Sequence, residues 1–225
     1  NQIIIDSENA CVTAGAGVSL NKLLKEIIPH GFFLPVSPGT KKVTIGGAIA
    51  ADVHGKNHHK DGSFGNHLKK IIVIDGLGKL RFLEPNGDDL QVKQFWATIG
   101  GMGLTGVIVE ATFDLIPISS SYIKVKTQRF KDIDSLMAEM INADKKYQYS
   151  VAWIDTLSKK GRGVLTCGDH AELNDLNNNL IKNRFSYNSE SLATAPSYLP
   201  KGLLNKFTVS AFNEIWYRKS KETNT

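Results

Sequence analysis

His54, His58, His59 and His67 crowd into one short stretch, with Lys56 and Asn57 between them. Imidazole can move protons near neutral pH, bind a metal, or hold a ligand by hydrogen bonds. His54 and His58 stand four apart, a spacing that puts two ligands on one helix face. Gly55 and its small neighbours disfavour a helix there. No cysteine is close, and Asp52 and Asp61, the nearby carboxylates, complete no familiar cage. No metal site is expected. Two readings of the cluster stay open: His54 faces a ligand in a cofactor cavity, or the histidines are solvated or satisfied within the protein.

The residues around the histidines are small: Gly46, Gly47, Ala48, Ala50, Ala51, Gly55, Gly62 and Gly65. Such a stretch has little side chain with which to build its own core, and its backbone can approach another group closely. Further on, Gly101-Met102-Gly103-Leu104-Thr105-Gly106 fits G-x-G-x-x-G. The dinucleotide-binding form of that motif needs a helix opening at the last glycine and an acidic residue about 20 residues on. Here Val107, Ile108 and Val109 lead into alternating, strand-like sequence. The run is therefore a glycine turn, either one that lets backbone approach a ligand or a purely structural one. Nucleophile-elbow and phosphate-loop motifs are absent. No carboxylate pair suited to glycoside chemistry stands out.

These residues need elements to hold them. The 225 residues are 41% hydrophobic and 22% charged, as in a soluble globular protein of one large domain or two small ones. Residues 3–5 and 10–14 read as strands. Ser19 is a good N-cap, and Leu20, Leu23, Leu24, Ile27 and Ile28 follow helical spacing up to Pro29-His30-Gly31. Residues 32–38 read as extended. Residues 68–74 and 79–83 form a hairpin across Asp75-Gly76-Leu77-Gly78, and residues 107–118 alternate like a strand. A composition shift follows Pro117. Residues 122–130 read as a strand, and 132–143 as a helix with Ile133, Leu136, Met137, Met140 and Ile141 on one side. Residues 147–155 and 163–167 are further strands, 171–200 are loop-like, and 206–210 and 214–218 read as short strands. The β-α-β-β order suggests the first half of a small antiparallel α+β domain.

The net charge of +5 comes from scattered basic residues without interleaved aromatics. That argues against nucleic acid as partner. It favours a solvated basic surface suited to an anionic substrate or to membrane headgroups. Cys11 and Cys167 cannot form a disulfide framework and read as small buried hydrophobes. No apolar run approaches the roughly 20 residues of a bilayer span. The chain opens without methionine, in strand-like sequence, and closes on a polar tail; the expectation is a fragment or trimmed product. With no signal peptide in view, the expected compartment is the cytoplasm, at the inner membrane surface.

Pro38-Gly39-Thr40, Val43-Thr44-Ile45-Gly46-Gly47-Ala48-Ile49-Ala50 and Val53-His54-Gly55 resemble the second half of the FAD-binding domain in the vanillyl-alcohol-oxidase superfamily. His54-Gly55-Lys56-Asn57-His58-His59, Ser63-Phe64-Gly65-Asn66-His67, Phe95-Trp96-Ala97-Thr98, Gly103-Leu104-Thr105-Gly106 and Ile215-Trp216-Tyr217-Arg218-Lys219-Ser220 narrow the resemblance. Within the superfamily they are similar to the oxidases of polyprenyl-phosphate-linked ribose. The implied fold is α+β: an incomplete second subdomain of the FAD-binding domain over residues 1–118, then part of an antiparallel α+β substrate (cap) domain over 119–225. The family's glycine-rich pyrophosphate loop and its C-terminal lysine and cysteine are expected outside these residues.

The resemblance implies non-covalent FAD and oxidation of the 2-hydroxyl of a lipid-phosphate-linked ribose to a ketone. It also implies a separate NADH-dependent reductase partner and peripheral membrane association. Gly39, Thr40, Thr44, Ile45, Gly46, Gly47, His54, Gly55, Lys56, Asn57, Gly103 and Ile108 are expected to line the FAD. His54 and Lys56 are the expected catalytic pair, with Lys56 able to stabilise a forming alkoxide. Trp153 and Val151 are expected in the wall of the substrate pocket. On this reading the stretch from Pro38 to Gly65 is bare so that main-chain amides can press against the nucleotide. Met102, Ala51 and Val151 depart from the family pattern of asparagine, cysteine and serine, which bears on the choice of sugar. The competing readings are a soluble alditol or sugar-lactone oxidase, and a non-catalytic remnant that serves as a binding module.

Overall fold

A computed structural model describes residues 2–188, 202–220 and 222–224, which fall into two units. The chain runs β1 (Ile3–Asp6), β2 (Cys11–Gly15), α1 (Leu20–Ile27), β3 (Phe32–Phe33), α2 (Ile45–Ala50), α3 (His58–Asp61), β4 (Leu68–Ile74), β5 (Leu80–Leu83), α4 (Asp89–Thr98), β6 (Val107–Asp114) and β7 (Ile116–Pro117). It continues through β8 (Ile123–Phe130), α5 (Ile133–Asp144), β9 (Tyr149–Ile154), β10 (Gly163–His170), α6 (Asn178–Lys182), α7 (Lys206–Lys219) and β11 (Thr223–Asn224). The first unit is Asn1–Ser121 with Glu172–Tyr187, and the second is Tyr122–Ala171 with Asn188–Thr225. The expected division after residue 118 gives all that follows to one domain; in the structure Glu172–Tyr187 returns to the first unit. Local contacts explain the return. Phe185 packs over Gly31, the Tyr187 hydroxyl donates to Asn21 Oδ1 (3.2 Å), and the Ser119 hydroxyl donates to Glu172 (2.6 Å). Part of the loop expected over 171–200 is thus the short helix α6, and residues 189–200 lie outside the described set.

In the first unit five antiparallel strands lie in the order β1-β2-β6-β4-β5. Alternation puts Val12, Ala14, Ile71, Val73, Ala111 and Phe113 on one buried face, in a single core with α1 and α2. Ser19 caps α1 by accepting from Lys22 N (3.2 Å), and Leu20, Leu23, Leu24 and Ile27 are buried, as the spacing requires. The small-residue stretch differs from expectation, because it does contribute core. Ile45, Ala48 and Ile49 of α2 are fully buried. Two isoleucines four apart suffice to anchor a helix too short to show a periodic stripe. The helix α4 was not apparent in the sequence. Its capping box, in which Asp88 accepts from Leu90 N and Gln91 N and Gln91 Oε1 accepts from Asp88 N, fixes its start.

The second unit is a four-stranded sheet in the order β11-β8-β10-β9 with α5 on one face. The expected face of α5 is corrected: Leu136, Met140 and Ala143 turn inward, while Met137 and Ile141 are exposed. Residues 206–210 and 214–218, expected as strands, form the single helix α7. Their aromatic and β-branched content favours strands locally. The Asn205 side chain nevertheless caps Phe207 N and Thr208 N, and the inward residues recur with helical period.

A polar network holds α7. Asp155, nearly fully buried, accepts from Asn213 Nδ2 (2.6 Å), Arg162 Nε (3.0 Å) and Leu157 N (3.1 Å). Arg162 also pairs with Glu214 (2.7 Å) and lies 4.6 Å over the Tyr217 ring. Burial works to raise the Asp155 carboxyl; the Asn213 amide and the Arg162 guanidinium outweigh it and hold it below the usual carboxylate range. In the other half of this unit, burial pushes the Cys167 thiol up to about 11, which makes it an inert packing group.

Two outcomes follow. Leu136→Ala should cost about 3 kcal/mol in chemical denaturation, while Met137→Ala should stay within about 0.5 kcal/mol. Because the folded-state carboxyl of Asp155 is depressed, its stabilising effect is complete above its unfolded value of about 3.9 and fades as pH falls through the folded one. Hydrogen exchange at the Asn213 and Tyr217 amides, corrected for intrinsic rate, should therefore be slow at neutral pH and accelerate in that acid range.

Candidate functional site

The site grows from the end of α2. Thr44 caps this helix through Oγ1, which accepts from Gly47 N (3.2 Å). The other early amides also find partners inside the protein. Ile45 N donates to Val18 O (2.9 Å), Gly46 N to Ala16 O (2.8 Å) and Ala48 N to Thr44 O (2.8 Å). The expectation that these amides press against a nucleotide is therefore revised: their hydrogens are already used. Three glycines of the stretch likewise serve internal packing. A Cβ on Gly46 would meet Ala16 Cβ at 3.0 Å, one on Gly55 would meet Ser37 N and O at 2.6 Å, and one on Gly65 would meet Ile99 at 2.5 Å. Gly39 and Gly103 differ, because a Cβ there would meet nothing within 4 Å.

After α2 the chain turns at Asp52, whose φ of 40° lies in the left-handed region. Aspartate tolerates that region better than most residues. The Asp52 carboxylate accepts from the Ser63 hydroxyl (2.8 Å) and from Gly65 N (2.8 Å). A bridge between His54 and Ser63 and the bond from Phe64 N to Val53 O (2.9 Å) close the base of a loop over residues 54–62. Within the loop Lys56 N donates to Ser37 O (3.2 Å). Asn57 is fully buried: Nδ2 donates to Pro35 O (2.5 Å) and to Asp61 Oδ2 (2.6 Å), and Oδ1 accepts from Ser37 N (3.4 Å). Its side chain is thus a clamp that joins the 35–39 segment to the loop.

The clamp leaves His54 exposed and Lys56 half-buried. The His54 and His58 rings meet edge-on, with centroids 5.3 Å apart. His67 Nε2 bonds Asp61 O (2.9 Å) and is satisfied within the protein. Among the described residues no three His, Cys, Asp or Glu side chains gather to hold a metal.

The glycine turn over 100–106 packs on the far end of α2: Gly100 N donates to Ile49 O (3.0 Å) and Met102 N to Ala50 O (2.8 Å). A Cβ on Gly101 would strike Ala97 O at 2.2 Å, and one on Gly106 would strike Ile74 O at 2.3 Å, so both serve the fold. Gly103 sits open at the tip, and Ile108 is half-buried in β6 beside Val73. Trp153 and Val151 lie in β9 of the second unit, two residues apart and so on one face, opposite the face on which Ala152 packs towards α5.

Of the residues expected at a flavin, Gly39, Thr40, Thr44, Gly47, His54 and Gly103 are exposed, while Ile45 is enclosed and Asn57 acts as the clamp. The exposed residues offer hydroxyls, an imidazole and two open glycines, and half-buried Lys56 follows His54 by two residues. The first amides of α2 have no free donor left for a pyrophosphate. Asp52, Ser63 and the Asn57–Asp61 pair were not singled out from the sequence for this scaffold. Their only local signal is the tolerance of aspartate for positive φ.

Residues 1–84 match the FAD binding domain family. Over 96% of its length the chain is 42% identical to decaprenylphosphoryl-beta-D-ribose oxidase of Mycolicibacterium smegmatis, covering 47% of that protein. It is 37% identical over 85% of its length to an uncharacterized protein of Streptomyces coelicolor, covering 51% of it. L-gulonolactone oxidase 5 of Arabidopsis thaliana is 27% identical over 78% of the chain, with 30% of that protein covered. The chain spans about half the length of the first two of these relatives. These likenesses support FAD as the cofactor, an α+β fold and an FAD-linked oxidoreductase.

The glycine roles separate in stability measurements. Gly55→Ala should cost about 3 kcal/mol through forced overpacking, while Gly39→Ala should stay within about 0.5 kcal/mol. Asp52→Ala removes both acceptors from a left-handed position and should cost about 2–3 kcal/mol, with Asp52→Asn milder. Equal losses at Gly39 and Gly55 would contradict this scaffold.

Proposed function

We propose, for a chain that belongs to the FAD-linked oxidoreductases, that the full-length protein oxidises the 2-hydroxyl of a polyprenyl-phosphoryl ribose to the ketone. The observation that carries this reading is the 42% identity, over nearly the whole chain, to an oxidase named for that substrate class. FAD, when bound, accepts the hydride that leaves the carbinol carbon. The chain's own residues position the substrate and handle its proton. The Lys56 ammonium stabilises negative charge on the oxygen as the hydroxyl proton leaves. The His54 imidazole, exposed and set against the His58 ring, takes that proton. Gly39 and Gly103 leave room for close approach of the flavin, and the Thr40 and Thr44 hydroxyls supply polar contacts from the exposed segment ahead of α2. An NADH-dependent reductase that returns the ketone to the opposite alcohol would complete an epimerisation, and the protein works at the membrane face where its lipid-linked substrate resides.

The test is anaerobic bleaching of the flavin band in the full-length protein. Polyprenyl-phosphoryl ribose should bleach it, and free alditols should not; the reverse pattern would assign the protein to soluble sugar oxidases. His54→Ala and Lys56→Met should each retain FAD while slowing bleaching by about 100-fold or more.

A further inference from the structure

The loop over 54–62 and the segment over 35–39 are joined main chain to main chain as well as through Asn57. Lys56 N donates to Ser37 O (3.2 Å), and Gly55 lies so close on the Ser37 backbone that no side chain fits between them. Asn57 completes the joint with directed bonds. Its Nδ2 donates to Pro35 O (2.5 Å) and to Asp61 Oδ2 (2.6 Å), and its Oδ1 accepts from Ser37 N (3.4 Å). Two residues of the proposed chemistry hang from this joint, Lys56 on one side and Gly39 on the other. All of these groups belong to the first unit.

The ends of a carboxamide are alike in shape, and its partners decide which end is oxygen. Turned over, the Asn57 amide would set its oxygen against Pro35 O and its NH2 against the Ser37 N–H. The Asp61 carboxylate adds a charge-assisted acceptor that can take only the NH2. Asp61 is itself held at both ends. Asp61 N donates to Asn57 O (2.9 Å), and Asp61 O meets His67 Nε2 (2.9 Å), one residue before β4. That frame delivers the carboxylate to a fully buried amide four places earlier in the chain. Without the carboxylate one proton of the buried NH2 loses its partner, and the amide gains by turning to find another. The bond to Ser37 N, the longest that Asn57 makes, is the first to open when it turns.

We propose that Asp61 is a positioning residue: its carboxylate holds the Asn57 amide in one direction, and the amide holds Lys56 at a fixed spacing from Gly39. The inference rests on the proposed function, in which the Lys56 ammonium meets the oxygen of the reacting hydroxyl. Asp61 touches neither substrate nor flavin and acts through Lys56.

The experiment uses the full-length protein. Asp61→Asn keeps the size of the side chain but offers an NH2 as readily as an oxygen, so the direction of the Asn57 amide is no longer enforced. This variant should retain FAD. Its limiting rate of flavin bleaching by polyprenyl-phosphoryl ribose should fall about tenfold, with the half-saturating concentration little changed. Hydrogen exchange at the Ser37 and Lys56 amides should accelerate. In a Lys56→Met background the same substitution should slow bleaching by less than about twofold, because the group it positions is gone. The exchanged pair, Asn57→Asp with Asp61→Asn, keeps an amide against a carboxylate but turns a carboxylate oxygen towards Pro35 O, and it should stay slow. A full tenfold loss in the Lys56→Met background would mean a merely structural role and would overturn the proposal. So would unchanged exchange at Ser37 and Lys56, or the unaltered rate in the exchanged pair. If only free alditols bleach the unaltered protein, the proposed substrate fails, and the positioning role stands or falls by the same comparisons made with the alditol. Bleaching by neither would overturn both.

Discussion

The chain that carries His54 and Lys56 leaves the core at one carboxylate and returns to it at the same one. Asp52 reverses the backbone at positive φ and grips Ser63 and Gly65 on the way back. The loop between them is further defined by the His54–Ser63 bridge, the short helix α3 and the Asn57 clamp. The clamp itself is buried, with each of its side-chain polar atoms engaged. A buried amide left unpaired costs more than the bond gains, so the 35–39 segment, Asn57 and Asp61 hold together as a unit. The exposed imidazole and the half-buried ammonium are consequences of that arrangement. They are presented on a rigid base, as positioned chemistry requires.

The same accounting changes the meaning of the small residues. Glycine and alanine are needed because α2 lies against the 16–18 turn and because Gly55 lies on the Ser37 backbone, at distances no side chain allows. Close approach is real, but most of it is protein to protein. What remains open to a ligand is a smaller set centred on Gly39, Thr44, Gly47 and His54. On the proposed reading this set meets the flavin end of the cofactor.

Several elements were legible in the sequence because local chemistry and tertiary packing agree there. Ser19 with four apolar residues at helical spacing gives α1, and the Asp75-Gly76-Leu77-Gly78 turn gives the β4–β5 hairpin. The expected site residues came from a motif string, not from periodicity. The use of the α2 amides was not, because their acceptors, Ala16 and Val18, come from a turn far back in the chain. Helix α7 was misread for a related reason. Its aromatic and β-branched residues favour strands, and the polar contacts that make it a helix on this sheet involve Asp155 and Arg162, remote in sequence. The α5 face was drawn too wide: Leu136 and Met140 do turn inward, but Met137 and Ile141 are exposed, and only the sheet decides among equally apolar neighbours.

The central claim is that the chain offers a flavin its exposed side chains and open glycine while its α2 amides stay bonded at home. The most direct measurement is a crystal structure of the full-length protein with FAD. The account predicts the isoalloxazine beside His54 and Gly39, with Ile45 N and Gly46 N still donating to Val18 and Ala16. A pyrophosphate seated on those amides, with the Ala16 and Val18 bonds broken, or a flavin bound away from His54, would contradict it.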